Sequence, residues 1–122
     1  MHQAILIYET PFDLQSRDDP ARAEAYWGAH ANYCAALQKA GVFVGGSALQ
    51  PTRSATTIRT RGGKRQVQDG PFADTKEELG GFTLIDVPNL DVALEWAAKC
   101  PTTATGCVEV RSCLPPPPMP AQ

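Results

Sequence analysis

Asp69-Gly-Pro-Phe-Ala-Asp-Thr-Lys-Glu-Glu-Leu-Gly-Gly-Phe-Thr-Leu-Ile-Asp-Val87 is the stretch in which this chain concentrates its punctuation. Asp69-Gly70 is a turn dipeptide, and Pro71 restricts the residue before it to extended or turn conformations, which glycine accepts at no steric cost. A strand should therefore end at Asp69. Thr75 and Glu78 have the spacing of a capping box and Gly80 that of a left-handed helix stop, which predicts one helical turn over residues 76–79. Gly81 to Val87 follows as an apolar strand. Two readings of the loop stand: its polar residues shape the chain, or a loop held this firmly presents binding groups from a rigid scaffold.

Upstream, Thr56 to Arg61 is β-prone, Gly62-Gly63 is a two-residue hairpin turn, and Lys64 to Gln68 runs back toward Asp69. Nearer the N-terminus, Gln3 to Tyr8 reads as a strand apolar on both faces, which must be covered twice. Thr10 to Asp19 reads as a loop, with Asp18 or Asp19 before Pro20 as the start of a helix. From Ala21 to Ala40, residues Ala23, Trp27, His30, Cys34 and Leu37 recur at steps of four, three, four and three, the stripe of an amphipathic helix that Gly41 closes. Val42-Phe43-Val44 opens a second strand running out at or just after Gly45-Gly46. Downstream, Pro88 and Asn89 break the chain, and Leu90, Ala93, Leu94 and Ala97, flanked by Trp96, mark a second helix ending near Cys100-Pro101. A last strand, Cys107 to Cys113, leads into a proline run that cannot join a ladder.

Strand, helix, strand, hairpin, strand, helix, strand is a ferredoxin-like split βαβ pattern of the α+β class: an antiparallel sheet with two helices on one face. The expected organisation is one domain over residues 1–114 and an extended, mobile proline-rich tail over 115–122. The other sheet face carries Ala4, Leu6 and Tyr8 or their alternates and half of Phe82 to Val87. Nothing in the chain remains to cover it, so a second copy is the simplest cover and a homodimer is expected.

At 122 residues with a net charge of −2 and a pI near 5.6, the chain lacks the basic footprint of a general nucleic-acid binder. No apolar run is long enough for a bilayer and no signal core opens the sequence, so the expectation is a cytoplasmic protein away from membranes. Four cysteines (Cys34, Cys100, Cys107 and Cys113) lack a Cys-x-x-Cys spacing and read as free thiols rather than disulfides or a metal site. No phosphate loop or metal cluster points to a cofactor.

His30 sits mid-stripe on the first helix beside Tyr26, Trp27, Tyr33 and Cys34. It is either a core residue with a satisfied ring nitrogen or the acid/base group of a pocket between that helix and the sheet. A carboxylate beside it would orient the imidazole and hold it near a useful pKa. Asp69, on the structured loop, is the first such partner and Asp86 the second. Tyr8, Trp27 and Phe72 would supply an aromatic wall for a small planar or cyclic ligand, and Cys100 with His30 would make a nucleophile and base. A separate feature is the basic hairpin 53–65, with Arg53, Arg59, Arg61, Lys64 and Arg65 and no acidic residue between Val42 and Gln68. It is either a solvated edge that discourages pairing or a docking surface.

Asp-Gly-Pro-Phe at 69–72, Thr-Lys-Glu-Glu-Leu-Gly-Gly at 75–81, Leu94-Glu95-Trp96-Ala97-Ala98 and Val108-Glu109-Val110-Arg111 together resemble the signature of the DGPF-domain, or YCII-related, proteins. The resemblance implies a dimeric α+β barrel. It also implies a histidine at His30 paired with an aspartate at the end of the second helix, a position where this chain has Cys100. Proteins sharing that barrel include muconolactone isomerases and chloromuconolactone dehalogenases, which implies an acid/base isomerase or lyase acting on a small cyclic or aromatic acid. Other members are encoded beside alternative sigma factors, which implies instead a non-enzymatic ligand-binding or regulatory module using the basic hairpin.

Overall fold

Alternation along the first strand decides which face of the sheet is inside. In a computed structural model that describes residues 1–118 and 120, β1 (His2–Glu9) buries Gln3, Ile5, Ile7 and Glu9 and leaves Ala4, Leu6 and Tyr8 half-buried on the opposite face. It pairs antiparallel on one side with β5 (Glu78–Asp86) and on the other with β6 (Cys107–Ser112), and β5 pairs antiparallel with β2 (Phe43–Ala48). The strand order β2-β5-β1-β6 is the ferredoxin-like arrangement, with β1 and β2 parallel to each other and β5 lying between them.

Register carries the buried face across the sheet. Ile5 lies opposite Thr83 and Val110, Ile7 opposite Gly81 and Val108, and Gln3 opposite Ile85 and Ser112. Helices α2 (Ala23–Lys39) and α3 (Leu90–Ala98) cover this face, bringing Tyr33, Leu37, Ala93 and Ala97 against Ile5, Ile7 and Ile85. The Tyr33 hydroxyl donates to the Trp96 carbonyl at 2.8 Å and ties the two helices together. Gly41, at φ +74°, ends α2: its own N–H reaches the Gln38 carbonyl and the N–H of Val42 reaches that of Leu37, a Schellman closure.

Three local expectations need correction. The long helix opens at Ala23 with Arg22 at its N-cap, not at Pro20; Asp19 Oδ1 accepts from the Ala21 N–H at 2.8 Å in the turn before it. Residues 71–77 form no helical turn, and Glu78 opens β5 instead. The Glu78 carboxylate does not reach back to cap Thr75; it accepts from the Thr52 backbone N–H at 3.0 Å and from the Thr52 hydroxyl, while the Thr75 hydroxyl donates to the Glu77 carbonyl. Gly80 is accordingly a strand residue. The capping box lies elsewhere, in the segment expected to be a loop: Thr10 Oγ1 accepts from the Asp13 N–H at 3.2 Å and Asp13 Oδ2 accepts from the Thr10 N–H at 2.9 Å. With Pro11 at the first position this starts α1 (Pro11–Ser16).

The hairpin forms as its Gly62-Gly63 turn predicts. Its strands β3 (Thr56–Arg61) and β4 (Lys64–Asp69) make a separate two-stranded ribbon, and β4 ends at Asp69. Gly70, at φ +93°, closes the base, its N–H donating to the Ala55 carbonyl at 2.7 Å. Pro115 to Pro118 are exposed and in neither helix nor strand. The expected tail mobility falls partly on residues 119, 121 and 122, outside the described residues. No helix among the described residues is long and apolar enough to cross a membrane.

Candidate functional site

The N-terminal half of α2 does not close onto the sheet. Tyr33 and Leu37 are buried, but one to two turns earlier Tyr26 and His30 are only partly covered and Trp27 is 42% exposed. Beneath them lies a cavity of about 400 Å³, floored by Ile7 and Glu9 of β1, Gly80, Gly81 and Thr83 of β5, and Gly46 to Ala48 of β2. Ala31, Cys34 and Phe43 complete an apolar far wall. The floor is shallow because glycine lines it, and β2 approaches β5 closely at Gly81, where a Cβ would sit 3.0 Å from the Ser47 carbonyl oxygen.

One end of the cavity holds a buried ion pair. Glu9 continues the inward alternation of Ile5 and Ile7 and is 1% exposed. Arg17, delivered by α1, donates to Glu9 Oε1 at 2.6 Å and to the Gly80 carbonyl at 2.9 Å, and also to the Leu49 carbonyl. Tyr26 joins them: its hydroxyl donates to Glu9 Oε2 at 2.5 Å and accepts from Arg17 Nε at 3.1 Å. The Arg17 guanidinium also lies over the Trp27 ring at 5.5 Å, and the Trp27 indole donates to the Arg17 carbonyl. Each nitrogen of the guanidinium and each oxygen of the carboxylate has at least one partner, which is what makes a buried pair tolerable.

His30 packs tilted against this cluster, its ring 4.7 Å from that of Tyr26 at 46° between planes. No side chain among the described residues hydrogen-bonds its ring, yet no polar side-chain atom is sealed in without a partner, so the ring nitrogens open to space that solvent or a ligand can enter. Burial holds the imidazole below its usual pKa; the negative charge of Glu9 opposes that, Arg17 adds to it, and Asp13 opposes it more weakly. The ring is therefore neutral at neutral pH and has an open acceptor. A second cavity of about 280 Å³ lies on the far side of the same two rings, lined also by Asp13, Ser16, Arg22, Thr102 and Thr105.

Of the residues singled out in the sequence, Trp27 and His30 line the main cavity. Tyr8 stands on the opposite face of the sheet, because alternation that turns Ile7 and Glu9 inward turns Tyr8 out. Asp69 is exposed at the end of the ribbon and Phe72 is 78% exposed beyond it. Asp86 bonds the Met1 ammonium at 2.8 Å. Cys100 is 1% exposed within the core, where burial pushes its thiol pKa up; it is not on the cavity wall. The carboxylate that acts most strongly on His30 is Glu9, with Asp13 second. Glu9 lies one residue beyond the strand read from Gln3 to Tyr8, and the signal for it was the phase of that strand: position 9 must share the face of Ile5 and Ile7.

A family model for the YCII-related domain matches residues 1–115. The chain belongs to the YCII-related family. An uncharacterised protein of Rhizobium meliloti (strain 1021) is 49% identical to it over 65 residues, 52% of this chain and 52% of that one, so the match spans about half the length of the curated relative. Among solved structures, the 5-chloro-2-hydroxyhydroquinone dehydrochlorinase of Burkholderia phenoliruptrix AC1100, in complex with 2,5-dihydroxybenzoquinone, superposes with a TM-score of 0.54. That alignment covers 93% of the YCII-related chain and 94% of the enzyme at 19% identity, a likeness of fold.

Proposed function

We propose that this YCII-related protein is an acid/base enzyme of the isomerase or lyase type acting on a small cyclic or aromatic acid in the cavity beneath α2. The observation that carries this reading is the open, neutral imidazole of His30 over an apolar cavity whose far end holds a buried carboxylate. A six-membered ring fits a space of about 400 Å³. The neighbouring fold, a dehydrochlorinase complexed with a dihydroxybenzoquinone, supports a hydroxylated ring as the ligand class. In this mechanism His30 accepts a proton from the bound ring, the negative charge of Glu9 stabilises the imidazolium that forms, and Trp27 and Phe43 hold the ring plane. Tyr26 carries no proton to the ligand, since its hydroxyl already donates to Glu9; it fixes the height of the imidazole instead.

Screening small aromatic acids, small lactones, hydroxylated benzoquinones and chlorinated hydroquinones against the wild type and His30→Gln tests the reading. Turnover or binding by the wild type that falls at least about a hundredfold in the variant, the lower end of what general acid/base catalysis contributes, is expected. Equal behaviour of the two proteins toward a bound ligand would overturn it. The active form is proposed to be a cytoplasmic homodimer paired through the open sheet face.

A further inference from the structure

The ribbon β3–β4 has no face turned to the protein. Every residue of β4 and all but Thr57 of β3 are exposed. Isolated two-stranded hairpins are marginal in water and need a further strand or a packing surface. The ribbon nevertheless has two distinct faces. Ile58 and Val67 pair directly across it, 60% and 59% exposed, while Arg59, Arg61 and Lys64 share the opposite face. An exposed apolar pair on one face, flanked there by Arg65 and Asp69, with a basic stripe on the other face, makes the ribbon a two-sided docking surface.

The charge of the whole chain indicates what it meets. Four of the eleven Lys and Arg (Arg59, Arg61, Lys64 and Arg65) lie in the ribbon with the single carboxylate of Asp69, leaving seven elsewhere against twelve Asp and Glu, so a +3 ribbon projects from a body of −5. The molecule is electrostatically complementary to itself. The body also leaves apolar side chains open on the outer sheet face, Leu6, Phe82 and Leu84 being only half-buried there. We infer that the ribbon is a dimerisation arm: it docks on the acidic body of a second copy of this chain, and the partner's ribbon docks reciprocally, as a two-fold interface requires. The inference builds on the homodimer proposed above and adds a second contact, the ribbon, to the open sheet face.

Sedimentation equilibrium on three proteins tests the arm: the wild type, the charge reversal Arg59→Glu/Arg61→Glu/Lys64→Glu/Arg65→Glu, and Ile58→Lys, with circular dichroism to show that each is folded. All substituted positions are exposed, so the folded monomer should survive the changes. The wild type is expected to dimerise, with a dissociation constant that rises between about 50 and about 500 mM salt as screening shortens. Each variant should weaken the dimer by at least about tenfold, equivalent to about 1.4 kcal/mol. A wild-type dimer whose affinity is unchanged in both variants would overturn the arm while leaving the dimer in place. A monomeric wild type would remove both. Salt-sensitive binding of duplex DNA by the wild type, lost on charge reversal without any change in dimer affinity, would assign the ribbon to nucleic acid and also overturn the inference.

Discussion

Gly80 shows how a missing side chain can organise a site. A Cβ there would overlap Glu9 Oε1 and lie 2.9 Å from an Arg17 terminal nitrogen, so the ion pair occupies the space that glycine vacates. Gly80→Ala must push the pair apart or bend β5. The expected cost is about 2 to 4 kcal/mol, between overpacking and breaking a buried pair, read as a lower urea midpoint at unchanged m-value. His30 gives a second prediction with a definite sign. Its folded pKa lies below the unfolded value of 6.5, so the unfolded chain binds the proton more readily and stability rises with pH across the interval between the two. Unfolding free energy should be full above about pH 7 and fall as the pH is lowered toward about 5, the range where imidazoles titrate. His30→Gln should flatten that slope. An equal slope in the variant would place the titrating group elsewhere.

At the scale of elements, α1 matters because it delivers Arg17. Its capping box is the local device that sets it, so Thr10→Ala should destabilise by about 1 kcal/mol, the usual value of an N-cap. The variant should also raise the exposure of Trp27, whose indole bonds the carbonyl of Arg17, and indole fluorescence would report it. The capping box at Thr10 escaped a reading tuned to Glu or Gln at the third helical position, since Asp13 occupies it here. The same spacing at Thr75 and Glu78 was a false match because Glu78 found a partner in Thr52, far away in sequence. Period-2 and period-3.6 patterns, glycine turns and the Gly41 closure were all legible because they depend on residues within one element. Glu9, Arg17 and Tyr26 come from three different elements. No local pattern joins them, and only the phase of β1 hinted that position 9 turns inward.

At the scale of the whole molecule, the sheet is covered on one face only by the described residues. One face of the sheet is covered by α2 and α3; the other leaves Leu6, Phe82 and Leu84 half-buried. On the proposal of a dimer, light scattering at micromolar concentration should give about twice the chain mass of 13.1 kDa. A Leu84→Lys substitution on that face should shift the protein toward monomer while leaving its far-UV dichroism intact, because the side chain points away from the buried core. Retained dimer in that variant would place the contact away from the sheet. The burden on each face follows from alternation and the strand order from the split βαβ pattern, which is why the architecture could be read before the site.

Tyr26 and His30 belong to the walls of both cavities, so they form a partition between two chambers of about 400 and 280 Å³. The capacity of the site is therefore not a single number. Swinging Tyr26 aside would merge the chambers, but it would also take its hydroxyl from Glu9 and Arg17, and hydrogen bonds to charged groups are worth about 1.5 to 3 kcal/mol each. A bulky guest must supply that energy before it gains any contact, while a single ring enters without it. For the ligand proposed above, selection by size would in this way be enforced electrostatically, by a latch whose bolt is a phenol.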